Sequence, residues 1–183
     1  LKTMAQARYH KEVRGIRKQV SRKFILSEPV KESWRIFLVA YARSTRELDR
    51  RLQEAGHIPL DVYDVLVTLE YQVDGRLRLK DLAERIVSSR SGLSRLVDRL
   101  EDKGYVRRER CPLDRRGQFA VLTDEGRAAR LATWSVLEPA IQDLWGELVT
   151  ADHARELTEL FTAVCERANP RLGASHTAAA SQD

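Results

Sequence analysis

Apolar residues recur at helical intervals along most of this chain and leave that rhythm in one place. Tyr9, Val13, Ile16, Val20 and Phe24 are three or four positions apart, with Lys and Arg between them. That stretch reads either as a frayed basic extension or as an added helix that packs on a partner subunit or lies along phosphates. Trp34, Phe37, Leu38, Tyr41, Leu48 and Leu52 mark one face of a helix predicted over residues 33–53, which Gly56 closes as a left-handed cap. Val62, Val65, Leu66 and Leu69 do the same for a helix over 60–71, set off by Pro59 and followed by the Asp74-Gly75 turn. The last third is helical again. Thr123 reads as an N-cap with Asp124 and Glu125 in the first turn. Leu131, Trp134, Leu137, Ile141, Leu144 and Leu148 follow at helical spacing, and Pro139 is expected to kink this helix or begin a separate one. A final helix is predicted over about 151–168, with Leu157, Leu160, Phe161 and Val164 on its stripe and Cys165 packed beside them. Beyond Pro170 the composition is that of a disordered tail.

Residues 76–122 change the rhythm. A short extended piece at Leu77 and Leu79 precedes a short helix carrying Leu82, Ala83 and Ile86. A second helix begins near Ser89 and runs to Asp102, burying Leu93, Leu96, Val97 and Leu100, with Gly104 at its end. Residues 105–110 then read as a strand and 118–122 as its antiparallel partner, joined by the polar loop 111–117. Helix, short turn, helix and basic hairpin together describe a winged helix-turn-helix. The expected fold class is therefore mainly α with a small β-hairpin wing: a winged helix-turn-helix lobe plus a helical dimerisation region.

Composition narrows the field. The chain has 183 residues, 43% hydrophobic and 32% charged, which is globular. No apolar run approaches the roughly 20 residues of a spanning helix, and no apolar stretch with a cleavage site follows the basic start, so neither a membrane partner nor a signal peptide is expected. Met4 is the sole methionine, so residues 1–3 belong either to a longer reading frame or to an expression scar. The two cysteines, Cys111 and Cys165, suit neither a disulfide scaffold nor a zinc motif and fit a reducing cytoplasm. The net charge of +5 is unevenly spread: residues 1–29 carry +6, 30–74 carry −2, 75–127 carry +5 and 128–183 carry −4. An anionic partner for the third block, double-stranded DNA, is the leading expectation.

The chemistry agrees. With Leu93, Leu96 and Leu100 buried, Ser89, Arg90, Ser91, Ser94 and Arg95 fall on the open faces at the N-terminal end of the second helix, where base edges are reached. Arginine bonds guanine through two parallel hydrogen bonds, and short serines let a helix sit deep in a major groove. Arg115 and Arg116 near a hairpin tip have little structural use, but a guanidinium there suits a narrow minor groove. Asp114 is expected to pair with one of them and shape the loop. The four histidines are scattered, and no Gly-rich phosphate loop, paired carboxylates or metal spacing appears, so no enzyme, metal or cofactor is expected.

Four pieces stand in fixed order: Leu82-Ala83-Glu84; the run from Ser94 through Asp98, Arg99, Leu100 and Glu101 to Gly104-Tyr105-Val106; Asp114-Arg115-Arg116-Gly117; and Leu122-Thr123-Asp124-Glu125-Gly126-Arg127. With that order and spacing, the stretch from about Trp34 to Arg167 resembles the MarR family of bacterial transcriptional regulators. The resemblance implies a homodimer whose first and last two helices interlock, with two winged lobes in successive major grooves. It also implies wing arginines in the minor groove, Arg116 matching the arginine of the family's Asp-x-Arg pattern. Many members release DNA when a small, often aromatic or phenolic, effector binds between dimer core and DNA-binding lobe; Trp34, Tyr41, His57 and Tyr63, with Phe37 and Trp134, are the candidates to line such a pocket, against the alternative that aromatics at helical spacing are core. Two departures stand out. Arg78, Leu79 and Lys80 occupy the slot where a capping Ser or Thr is usual, and Asp81 compensates only through the helix dipole. No cysteine lies early in the first long helix, where the family's peroxide sensors carry theirs; Cys111, beside Arg110, is read as an ordinary loop cysteine against a redox-active one. The expected organisation is a basic extension over 1–30, a MarR-type domain over 31–169 with its DNA-binding lobe at about 60–122 and dimerisation helices at 33–54 and 124–168, and a tail over 170–183. The function expected is a cytoplasmic, sequence-specific repressor. The competing expectation is an architectural DNA-binding protein with little sequence preference and no effector.

Overall fold

The helical spacings become α1 (Glu28–Glu54), α2 (Leu60–Glu70), α3 (Leu79–Arg85), α4 (Arg90–Asp102), α5 (Asp124–Ile141) and α6 (Ala151–Ala168). The interruption becomes three strands, β1 (Arg76–Arg78), β2 (Val106–Cys111) and β3 (Asp114–Leu122). The computed structural model describes residues 25–86, 90–111 and 114–168, with the backbone alone described at residues 90, 91, 115 and 116. The basic extension up to residue 24 and the tail from residue 169 lie outside the described residues, as does Ser89. Two compact units divide the chain at Arg43 and Ser44, within α1.

Helix α1 starts five residues before the apolar pattern predicts. Its first turns are held by polar pairs instead: Lys31 Nζ lies 2.6 Å from Glu28 Oε1 and Arg35 Nη2 2.6 Å from Glu32 Oε1. Such pairs, with Glu28 at the positive end of the dipole, extend a helix without burying anything. The end of α1 is tied into the second unit through Leu52, which is fully buried. Pro59, at the N-cap of α2, offers no side-chain cap. Asp49 supplies one from a distance, its Oδ1 accepting from Leu60 N at 2.8 Å.

The sheet is larger than the hairpin expected from the sequence. It has the order β1-β3-β2, all antiparallel, with Arg76 opposite Val121 and Arg78 opposite Phe119. Strand β3 begins at Asp114, so most of the predicted loop 111–117 is strand backbone. Helix α5 also departs from expectation: it runs through Pro139 to Ile141, and the irregularity comes just after, as a π-helical turn over Gln142–Gly146. A proline leaves one carbonyl of its own helix without a donor, and that defect is absorbed here without a break.

The core of the second unit lies between α2, α4 and the sheet. Val65, Leu66 and Leu69 of α2, Leu96, Val97 and Leu100 of α4, and Val106 and Ala120 of the sheet are essentially solvent-free. Helix α5 joins this core through Leu137 and through Trp134, which stacks on Tyr63 at 6.3 Å between ring centroids. Glu70 at the end of α2 receives Arg127 Nη1 at 2.9 Å and Arg130 Nε at 2.5 Å. Helix α6 buries none of its residues. Cys165, expected to pack, is exposed on it for the same reason. Among the described residues no helix is long and apolar enough to cross a membrane.

Candidate nucleic-acid interface

Helix α4 sorts its residues by period. Leu93, Leu96, Val97 and Leu100 point into the core and leave Ser94 and Arg95 exposed. Arg90 and Ser91 lie in the first turn of the same helix, and their side chains are outside the described residues, as is Ser89 altogether. Arg95 makes no ion pair among the described residues. A guanidinium held on a rigid helix and uncommitted to a neighbour is available to a base edge or a phosphate.

Beyond α4 the chain reverses through Gly104, which takes φ +73°, a left-handed conformation that suits glycine. Tyr105 N returns to Leu100 O at 2.9 Å. The start of α5 is fastened at the same place. Thr123 Oγ1 accepts from Gly126 N at 3.0 Å, as its N-cap reading predicts, and its hydroxyl reaches Gly104 O at 2.7 Å. A Cβ on Gly126 would stand 2.1 Å from Tyr105 O, so only glycine allows this approach of α5 to the hairpin.

Arg108 joins the two reading elements. From β2 its Nη1 lies 2.6 Å from Glu101 Oε2 and its Nη2 2.5 Å from Asp98 Oδ1, both on α4, while its backbone N donates to Glu101 Oε1 at 3.1 Å. The side chain is only 22% exposed, so the pair is stronger than a surface bridge. This residue was not singled out from the sequence. The signal available was the pair Asp98 and Glu101, three apart on a polar helix face, followed closely by a strand carrying Arg107, Arg108 and Arg110.

The wing shows why Asp114 and Gly117 sit where they do. Arg110 faces Gln118 and Cys111 faces Asp114, so β2 advances one residue while β3 advances four. The difference is a bulge containing Arg115, Arg116 and Gly117, which leave the ladder near the hairpin end. The side chains of Arg115 and Arg116 are outside the described residues. Asp114 folds over the bulge: a Cβ on Gly117 would lie 3.0 Å from Asp114 Oδ2 and 3.0 Å from Cys111 Cβ. Cys111, expected in a loop, is instead buried in the strand, with Arg78 Nη2 donating to its Sγ at 3.3 Å.

The lobe's excess of cations is partly spent inside it. Arg107 pairs with Glu109 at 2.6 Å and Arg99 approaches Asp61 at 3.6 Å. Arg95, Arg110 and Lys80 are exposed and make no ion pair among the described residues. Of the residues considered for an effector, Trp34 and Tyr41 are exposed on the first half of α1. His57 is half-buried after α1, and Tyr63 is buried on α2, where burial raises its phenol above the usual range with Arg130 beside its hydroxyl. No group of three or more His, Cys, Asp and Glu able to hold a metal ion occurs among the described residues.

This arrangement has counterparts. The MarR family model matches residues 58–117, the stretch from the loop before α2 to the wing bulge. The chain is 36% identical to Sco3205, a MarR family transcriptional regulator from Streptomyces coelicolor solved in complex with DNA; the match covers 80% of this chain and 92% of that one, with a TM-score of 0.72. A mutant MarR from E. coli complexed with operator DNA is 25% identical, over 77% of this chain and 99% of that one, with a TM-score of 0.63. Among curated proteins, the transcriptional repressor MprA of Escherichia coli is 26% identical over 102 residues, 56% of this chain and 58% of MprA. The matched stretch thus spans little more than half of that relative.

Proposed function

The chain belongs to the MarR family of transcriptional regulators and is not an enzyme, and on that premise we infer that it is a homodimeric repressor. It reads a pseudo-palindromic operator in the bacterial cytoplasm and leaves it when a small aromatic or phenolic effector binds. The observation that carries this reading is the fixed pairing of α4 with the wing through Arg108, with Ser94 and Arg95 open to solvent. In this reading Ser89, Arg90, Ser91, Ser94 and Arg95 face the major groove. Arg115 and Arg116 enter the minor groove, with Asp114 shaping the bulge that carries them. One short helix makes too few base contacts for genomic selectivity, and two lobes a helical turn apart double them.

Support for the dimer comes from two apolar surfaces, each within one unit: Trp34 and Phe37 on the first half of α1, and Leu160 and Val164 on α6, all exposed. Repression is the role printed for MprA, and binding to operator DNA is printed for the E. coli MarR structure. Within the second unit, His57 and Tyr63 are the residues proposed for the effector. Release requires the effector to favour the conformation with lower DNA affinity; a coupling of about 1–3 kcal/mol changes that affinity 5–150-fold.

Selection from a random duplex pool tests the reading. A two-fold-related consensus, bound at least about a thousandfold more tightly than random duplex at physiological salt, is expected. Affinities within about tenfold of each other would instead make this an architectural DNA-binding protein. A panel of phenols and aromatic acids titrated into the complex then tests release.

A further inference from the structure

The entry to α3 departs from the usual capping pattern, and the structure gives the departure a use. Arg78, at the N-cap, makes no side-chain cap. Its guanidinium instead lies 5.6 Å from the Phe119 ring centroid and donates to Cys111 Sγ, so it is committed to the base of the wing. Next to it opens a cleft of about 450 Å³ between α3 and β3, lined by Arg78, Lys80, Asp81, Asp114, Gly117 and Gln118. Lys80 also borders a second hollow, between α3 and α4, together with Ser94. It therefore stands between the helix assigned to the major groove and the strand that carries the wing, exposed and without an ion pair among the described residues.

On one face of a duplex, the major and minor grooves are separated by a single sugar–phosphate strand. A protein with a helix in one groove and a wing in the next must straddle that strand. We propose that the cleft between α3 and the wing base holds a backbone phosphate of the DNA, with Lys80 as its cation and Gln118 as a neutral amide donor. The contact sets the register between major-groove and minor-groove readout, as phosphate contacts do. Asp81 and Asp114 also line the cleft, the Asp114 carboxylate beside Gly117, and both moderate the site against the cations Lys80 and Arg78. The proposal rests on the DNA-binding reading above.

The test uses the full chain and the duplex selected from the random pool. Lys80→Ala is expected to weaken binding about tenfold at physiological salt and to lower the slope of log K against log salt by about 0.9 for each lobe bound. Gln118→Ala should weaken binding a few-fold with the slope unchanged, and Asp81→Asn should tighten it. Single methylphosphonates placed along the strand between the two grooves should reveal one position that weakens the wild type and not Lys80→Ala. A Lys80→Ala protein that melts like the wild type but keeps its salt slope, or the absence of any such methylphosphonate position, would overturn the proposal alone. Failure of the wild type to bind any duplex would overturn the DNA-binding reading and this proposal with it.

Discussion

Helices α4 and α6 have similar stripes of leucine and valine, yet the first is finished within the chain and the second is not. Leu93, Leu96, Val97 and Leu100 of α4 are at most 4% exposed, whereas Leu160 and Val164 of α6 are 57% and 46% exposed. Each fully buried side chain of this kind contributes about 1.5–3 kcal/mol, so α4 is held by burial within the single chain, whereas α6 gains none from the described residues. The comparison teaches that amphipathic periodicity reports a need for cover and not the source of it. In the DNA-reading lobe the cover is α2 and the sheet. On the helical scaffold the cover proposed above is a second copy.

The largest expected effect attacks the closed side of that comparison. Leu100→Ala should cost about 2–5 kcal/mol in denaturant unfolding, because a site packed between α2 and the sheet cannot collapse around the missing atoms. Arg108→Met should follow at about 1–3 kcal/mol, leaving Asp98 and Glu101 facing each other without their cation. Its operator affinity should fall more than its affinity for random duplex, because the angle between α4 and wing is no longer set.

Next is Asp64 on α2, whose carboxyl burial pushes up to about 6 from 3.8, with Asp61 adding to the effect. The folded state then holds a proton that the unfolded state has lost between those pH values. Stability is fullest below about 4 and declines as the pH rises to about 6, the reverse of a salt-bridged aspartate. Asp64→Asn should flatten that decline and stabilise the chain at neutral pH by about 1–2 kcal/mol, a figure reduced for the solvent that still reaches the group. Melting temperatures across that pH range decide it.

The smallest effect belongs to the open side. Leu160→Ala should move the unfolding midpoint by less than about 0.5 kcal/mol at concentrations where the chain is monomeric, and more where it is dimeric. A loss as large as that of Leu100→Ala in the monomer would erase the contrast between the two helices.

Much of this was legible beforehand because short-range rules suffice for it. The core face of α4, the Thr123 cap and the end of α4 at Gly104 follow from period, side-chain chemistry and backbone sterics within a few residues. The early start of α1 escapes the apolar pattern because ion pairs hold its first turns. Strand β1 shows in the sequence only as an extended piece, since its partner on β3 lies more than forty positions away. The expected hairpin loop is longer than the true one because the bulge at Arg115–Gly117 depends on Asp114 lying against Gly117, a contact that composition does not reveal. Cys165 was expected to be covered because a stripe implies burial somewhere.

What the sequence determined by itself was the order of elements, the apolar face of each, and the family to which that order belongs, since periodicity and caps act locally. What only the tertiary structure decided was which cations are left for a partner. Arg108 and Arg78 look as available as Arg95 and Lys80 along the chain. Only folding brings Asp98 and Glu101 to Arg108 and Cys111 to Arg78 and leaves the other two exposed, because these side chains are committed by residues near in space and distant in sequence.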